Sequence, residues 1–279
     1  MTLIEAKDYV TRKLKSADVP DYLLESDLLL CKVLGCDRAW LLAHGDRQVF
    51  DHELEHLNAL IDRRCRREPL AYIFGEAPFY GRTFLVGEGV LIPRQETEIL
   101  VDMALSFAKE GVVLDWGTGS GCVILSLLLE NPSLRGIALD LSPKAMRWAW
   151  RNVDRFGLFD RVVLWHESAR LPNKWGDHGL DMIVSNPPYI PTADIGFLMP
   201  EVRLYEPRSA LDGGPEGTQW YGFLFKNAPK WLKRGGLLLV EVGGRGREEA
   251  VLSMDHFGLV VHEVKRVNNS VSIVVFKNE

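Results

Sequence analysis

Val112-Val113-Leu114-Asp115-Trp116-Gly117-Thr118-Gly119-Ser120-Gly121, running straight into Cys122-Val123-Ile124-Leu125-Ser126-Leu127-Leu128-Leu129-Glu130, decides the fold. A short apolar run, alternating glycines and a longer apolar segment make a strand, a tight turn and a buried helix. Glycine permits the turn and lets a ligand approach the backbone with no Cβ in the way. The same rhythm repeats outward. GIALDL precedes PKAMRWAWRNVDRFG, then RVVLWHE, LDMIVS and LLLVEV follow, with a helix starting near Arg247 and a last strand VSIVVF. Strand–helix alternation of this kind implies a doubly wound, mainly parallel α/β sheet with helices on both faces. Ligands of such sheets bind at the carboxyl ends of the strands.

Upstream the rhythm changes. From Met1 to about Arg67 the apolar residues fall at helical spacing: Leu3, Ala6, Val10 and Leu14 on one face, a run from Leu23 to Leu34 stopped by Gly35, and Leu54, Leu57, Leu60 and Ile61. This predicts a helical bundle over residues 1–69. Aromatics and glycines between Leu70 and Pro93 predict a hairpin linker over 70–93, and a helix from Glu96 leads into the sheet domain of 94–279. At 279 residues one large or two modest domains are expected. A charged content of 25% and a formal net charge of −5 exclude a disordered or fibrous chain and count against nucleic acid as the main partner. The four cysteines show no metal-like spacing, the N-terminus has Glu5 and Asp8 where a signal peptide needs an apolar core, and no apolar stretch could span a membrane. A soluble cytoplasmic protein with reduced thiols is expected.

Two strand ends carry candidate chemistry. The glycine loop has its third glycine one residue earlier than the dinucleotide fingerprint. Asp140 ends the second strand, with Ser142 placed to cap the next helix and Pro143 at its first position. An acid there can accept hydrogen bonds from both hydroxyls of an adenosine ribose. A bare Gly-x-Gly turn could merely pack strand on helix; Asp115, three glycines and Asp140 together favour a nucleotide-like ligand. The strand LDMIVS then ends in Asn186-Pro187-Pro188-Tyr189. Consecutive prolines fix φ and remove two N–H donors, leaving carbonyl acceptors, and Asn186 adds an amide oxygen. Such a turn can grip both hydrogens of a planar –NH2 group, with Tyr189 offering a ring face to it and to a nearby sulfonium.

DxGxGxG with a strand-end acid is similar to the S-adenosylmethionine site of Rossmann-like methyltransferases. REPLAYIFGE (67–76), LIPRQETE (91–98), DWGTGSG (115–121), SNPPYI (185–190) and YEPRSAL (205–211) together resemble the HemK/PrmC family over nearly the whole chain. The resemblance implies a class I methyltransferase domain behind a small helical bundle that docks the substrate. It also implies transfer of a methyl group from S-adenosylmethionine to the glutamine side-chain amide of the Gly-Gly-Gln loop in peptide-chain release factors. Gly117, Thr118, Gly119, Ser120, Gly121 and Asp140 would hold the cofactor, with Asn186 near its methionine end and Ala169 at the adenine position, where the family carries an aromatic. Asn186, Pro187, Pro188 and Tyr189 would bind the glutamine, Asn186, Pro187 and Tyr189 acting in catalysis, and Pro93, Arg94 and Thr97 would form a lid. Departures are Gln95 for proline, Trp116 for leucine, His166-Glu167-Ser168-Ala169 for an Asp-aromatic pair, and VNNSVSIVVF without the usual glycine and arginine. The alternative is a methyltransferase for an amino group of a DNA or RNA base.

Two further patterns point elsewhere. His52-Glu53-Leu54-Glu55-His56 matches the zinc-protease HExxH, but no third ligand is at hand, so a solvated helix face is expected and no metal. Arg63-Arg64-Cys65-Arg66-Arg67 suits the carboxyl end of a helix dipole, or else an acidic partner or RNA.

Overall fold

The computed structural model describes residues 1–166, 179–244 and 246–279. Its helices, in chain order, are α1 (Leu3–Ser16), α2 (Tyr22–Leu34), α3 (Arg38–Ala43), α4 (Asp51–Cys65), α5 (Leu70–Phe74), α6 (Glu98–Phe107), α7 (Cys122–Glu130), α8 (Pro143–Phe156), α9 (Pro200–Tyr205), α10 (Gln219–Trp231) and α11 (Arg247–Leu252). The strands are β1 (Glu76–Phe79), β2 (Arg82–Leu85), β3 (Gly111–Trp116), β4 (Leu134–Leu139), β5 (Val162–Trp165), β6 (Leu180–Ser185), β7 (Leu232–Gly243), β8 (Leu259–Arg266) and β9 (Val271–Asn278). They form two compact units, residues 1–75 with 200–205, and residues 76–199 with 206–279.

The first unit is helical. Thr2 starts α1 with a capping box: its hydroxyl accepts from the Glu5 amide at 3.3 Å, and the Glu5 carboxylate accepts from the Thr2 amide at 2.7 Å. Leu3, Ala6, Val10 and Leu14 are its buried face, as their spacing predicts. Gly35 ends α2 in the left-handed conformation, but the buried apolar residues of that helix are Leu29 and Leu30, while Leu23 and Leu24 are exposed. The face is set by Asp27, buried in this unit between Lys7 at 2.6 Å and Arg38 at 3.0 Å.

The arginine cluster has a larger role than helix-dipole pairing. Arg64 is 3% exposed and pairs with Glu25 at 2.5 Å and Glu201 of α9 at 2.9 Å. Arg67 also reaches Glu201, at 2.7 Å, and Arg63 pairs with Glu68 at 2.5 Å. Three of the four cations are thus committed to carboxylates of their own unit. Leu70–Phe74, expected in the hairpin, is instead a short helix closed by Gly75 with φ +74°. The hairpin itself is β1–β2, and its turn residues Tyr80 (φ +49°) and Gly81 (φ +68°) both lie in the left-handed region that a two-residue turn of this hand requires.

The second unit is a seven-stranded sheet ordered β5-β4-β3-β6-β7-β9-β8. Strands β3 to β7 run parallel, and β9 and β8 add antiparallel pairs at one edge. Helix α7 is buried along nearly its whole length, so its apolar sequence has no polar face to show. Trp116 packs its ring 5.5 Å from Trp220 and 5.4 Å from Phe223 of α10, so the aromatic at this position is part of the core. Strand β8 has no counterpart in the sequence reading, because Val260 to Glu263 are exposed at the edge and carry no alternation. No helix among the described residues is long and apolar enough to cross a membrane.

Candidate active site

Strand order reverses at β3: the chain builds β4 and β5 on one side and then returns to lay β6 on the other. The crevice outside the carboxyl ends at such a switch point is where open α/β sheets bind ligands. A cleft of about 640 Å³ opens there, between the loop after β3 and the turn after β6.

The glycine loop is fixed by backbone geometry. Gly117, Gly119 and Gly121 have φ of +79°, +58° and +82°, values that residues with a Cβ rarely adopt. The Gly117 and Thr118 amides donate to the Leu139 carbonyl at 2.9 and 2.8 Å, tying the loop to the end of β4. The Thr118 hydroxyl donates to Asp115 at 2.6 Å. Burial pushes the Asp115 carboxyl up to about 7, hydrogen bonds from Thr118 and the Ile124 amide oppose that, and the Asp140 charge adds to it.

Asp140 sits just beyond β4. One of its oxygens accepts from the Gly119 amide at 2.9 Å and the other from the Ser142 amide at 2.8 Å. Burial raises its pKa and these amides pull it back. Each oxygen keeps a second acceptor site, which is what a pair of vicinal hydroxyls needs. Ser142 caps α8 through the Ala145 amide, with Pro143 at the first helical position, as the sequence predicts.

The Asn186-Pro187-Pro188-Tyr189 turn ends β6. The Ser185 hydroxyl donates to the Trp116 carbonyl at 2.7 Å and so locks the strand ends together. Asn186 Nδ2 donates to Thr97 Oγ1 at 3.0 Å. Past the turn, the Ile190 amide donates to the Leu211 carbonyl and the Gly213 amide to the Ile190 carbonyl, at 2.9 and 2.8 Å. Tyr189 is half-buried, its ring against Gly243, where any Cβ would collide with it. Burial raises the Tyr189 pKa, and the nearby Glu241 charge adds to the rise.

Gly117, Thr118, Gly119, Ser120, Asp140, Asn186 and Pro188 line the cleft, and so do Pro93, Arg94 and Thr97. Gly121, Pro187 and Tyr189 are placed next to these but are not part of the lining. Ala169 lies outside the described residues, as do Glu167 and Ser168. His52 and His56 are exposed on α4, while Glu53 accepts from the Phe50 amide at 3.0 Å and pairs with Arg47 at 2.6 Å.

Two acids escape sequence reasoning. Glu206 is buried, accepting from the Ile92 amide at 3.1 Å and from Arg94 at 2.6 Å, and so joins the LIPRQETE stretch to YEPRSAL. Glu241, 1% exposed near the end of β7, has a carboxyl pushed up to about 7. Burial is the main cause; Thr97 and Asn186 hydrogen bonding and the Arg94 charge oppose it, and the Glu96 charge adds to it. Its signal was available, since Glu241 is the one charged residue in the apolar run Leu237–Val242.

The charges of the cleft select its ligand. Arg94 is the one cation among the described lining residues, and it is tied to Glu206, whereas Asp115, Asp140 and Asp212 all face the cleft. The Ser120 hydroxyl is buried on the same loop, beside the Cys122 thiol. Three acids with a single, paired cation suit a ligand with hydroxyls and a positive centre and disfavour a phosphate. S-adenosylmethionine has that character.

Comparison with known proteins agrees. Residues 5–75 match the PrmC N-terminal domain and residues 95–199 the methyltransferase small domain. A release factor glutamine methyltransferase of Geobacter sulfurreducens is 43% identical over 254 residues, covering 91% of this chain and 88% of that protein. One from Caulobacter vibrioides is 37% identical, covering 87% and 84%. Among solved structures, a methyltransferase from Pyrococcus furiosus superposes with a TM-score of 0.53 at 16% identity, over 78% of this chain and 98% of that one, a likeness of fold.

Proposed function

The chain belongs to the release factor glutamine methyltransferase family, and on that premise we propose that it methylates the side-chain amide nitrogen of the glutamine in the Gly-Gly-Gln loop of peptide-chain release factors. S-adenosylmethionine supplies a methyl group made electrophilic by its sulfonium. The 117–121 loop and Asp140 would hold this cofactor, Asp140 through the ribose hydroxyls.

The nitrogen to be methylated is a poor nucleophile, because its lone pair is delocalised; the rotation barrier of about 18–20 kcal/mol in an amide measures that resonance. Asn186 Oδ1 and the Pro187 carbonyl accept its two N–H bonds and hold the –NH2 group so that lone-pair character faces the methyl donor. Tyr189 bounds the amide plane. The methylated nitrogen sheds its proton readily to solvent, so no side chain has to act as general base. The rate enhancement is one of orientation and electrostatics. The reaction would take place in the cytoplasm, where release factors work, and the helical unit of residues 1–75 is the part we assign to docking the protein substrate.

The observation that carries this reading is the placement of Asn186 in one cleft with Asp140 and the glycine loop. Mass spectrometry of a release factor incubated with the protein and S-adenosylmethionine tests it. A gain of one methyl, about 14 Da, mapped by fragmentation to the Gly-Gly-Gln glutamine, is expected, because that amide is what the turn can orient. Methylation absent from the factor but present on a nucleic-acid amino group would overturn it.

A further inference from the structure

Asn186 can grip an –NH2 group only if its amide oxygen, and not its amide nitrogen, faces the substrate. The two ends of an asparagine amide have nearly the same shape, so what decides the orientation is the hydrogen-bonding pattern behind it. Here Asn186 Nδ2 donates inward to Thr97 Oγ1 at 3.0 Å. The Thr97 hydroxyl, having accepted from Asn186, must place its own hydrogen elsewhere. The Glu241 carboxyl lies beside both: the Thr97 and Asn186 side chains oppose the rise that burial gives it, and its buried Oε2 has no hydrogen-bond partner among the described residues, leaving an acceptor open for Thr97. Thr97 is itself buried and both residues that Glu241 meets line the cleft, whereas Glu241 does not.

An ionised carboxylate only accepts. With Glu241 ionised, the chain Asn186 → Thr97 → Glu241 has one direction, and turning the Asn186 amide over would set Oδ1 against acceptors. A buried carboxyl with a vacant oxygen is costly to keep, and Thr97 alone could serve as acceptor for Asn186 but could not choose its own direction. We propose that Glu241 is a positioning residue for the methyl transfer: it is the terminal acceptor that turns the Asn186 amide oxygen toward the substrate glutamine. The inference rests on the function proposed above and names the residue that sets the geometry of that same site.

Steady-state methylation of a release factor by Glu241→Met and Glu241→Gln, beside the unaltered protein, tests it. Methionine fills a similar volume without an acceptor; glutamine keeps one acceptor oxygen for Thr97 and Asn186. Glu241→Met is expected to lower kcat about 30-fold, with S-adenosylmethionine affinity little changed and Tm not lowered, and Glu241→Gln to recover most of the loss. Thr97→Val should give the same signature, and its loss should not add to that of Glu241→Met, because both break one chain. An active unaltered protein whose Glu241→Met form keeps its kcat, or loses kcat, cofactor affinity and Tm together with no recovery by glutamine, would overturn the assignment. An unaltered protein that binds cofactor but leaves the glutamine unmodified would overturn the function reading itself.

Discussion

Asp140 and Glu241 belong to the carboxyl ends of two strands of one sheet, on opposite sides of the switch point, and burial weakens the acidity of both. Their surroundings differ in kind. Both oxygens of Asp140 accept from backbone amides, of Gly119 and Ser142. Glu241 meets side chains, those of Thr97 and Asn186, and keeps one oxygen vacant. The end of the cleft proposed for the methyl donor is therefore assembled from main chain, and the end proposed for the acceptor leans on side chains that hold one another. Main-chain sites are robust and bind; side-chain relays orient and are easily spoiled by one substitution.

The sharpest way to break this contrast is to truncate one residue at each end. Asn186→Ala should lower kcat/KM for the release factor by roughly 10³-fold, the order seen when a group orienting the reacting atoms is removed. Cofactor affinity, measured by calorimetry, should stay within about threefold, since the donor end is untouched. Asp140→Ala should do the reverse. Losing charge-assisted bonds to two hydroxyls costs about 2–3 kcal/mol, or roughly 30- to 100-fold in S-adenosylmethionine affinity. At saturating cofactor its kcat should be largely retained. If both variants lose both properties equally, the two ends are not separable.

The same contrast explains what the sequence made legible. Backbone-built features leave spacing behind them: three glycines at left-handed positions, a strand-end acid, Ser142 as cap, Pro143 at the first helical turn. These make the fold, and the loop and acid proposed for the cofactor, readable in the sequence. The partners of Asn186 left no such trace, because Thr97 lies 89 residues upstream and Glu241 comes from a later strand. Only folding brings them together. Glu206 lies within YEPRSAL, yet its bond to Arg94 cannot be read from either stretch alone. In the helical unit, Arg64 reads as a cation at the carboxyl end of a helix dipole; its burial depends on Glu25 and Glu201, again distant in sequence. Strand β8 escaped notice for a different reason, since an exposed edge has no apolar period to detect.

A smaller effect probes the wall behind Tyr189. Gly243 is bare because the tyrosine ring occupies the space of its Cβ. Gly243→Ala should push the ring and the turn it belongs to, lowering kcat about tenfold through misplacement of the reacting amide. Binding of S-adenosylmethionine should be unaffected in calorimetry. Retained kcat would mean that the turn tolerates movement and that Asn186 alone sets the geometry.

The smallest expected effect is on stability, where a pH-dependent term common to the two acids adds to a constant term that differs between them. In the folded protein the Glu241 carboxyl is raised from its ordinary 4.5 to about 7. The folded state therefore holds its proton more tightly than the unfolded chain does. At a pH below about 4.5 both states are protonated and the burial carries no electrostatic penalty; as pH rises toward 7 the penalty grows, and above 7 it is complete. A shift of this size corresponds to an upper bound on the order of 3 kcal/mol. Glu241→Gln removes the titration, so its Tm relative to the unaltered protein should be higher by a few degrees at about pH 8 and should approach equality near pH 5. Asp115, also raised to about 7, titrates in both proteins and cancels from the difference. Asp140→Asn differs by a constant cost, because its new –NH2 group faces a backbone donor at Gly119 or Ser142 and lowers Tm; since burial raises the Asp140 pKa as well, its Tm difference drifts with pH in the same direction as that of Glu241→Gln. A pH-independent Tm difference for Glu241→Gln would show that Glu241 is not carried as a buried anion, and the direction of the Asn186 chain would then need another source.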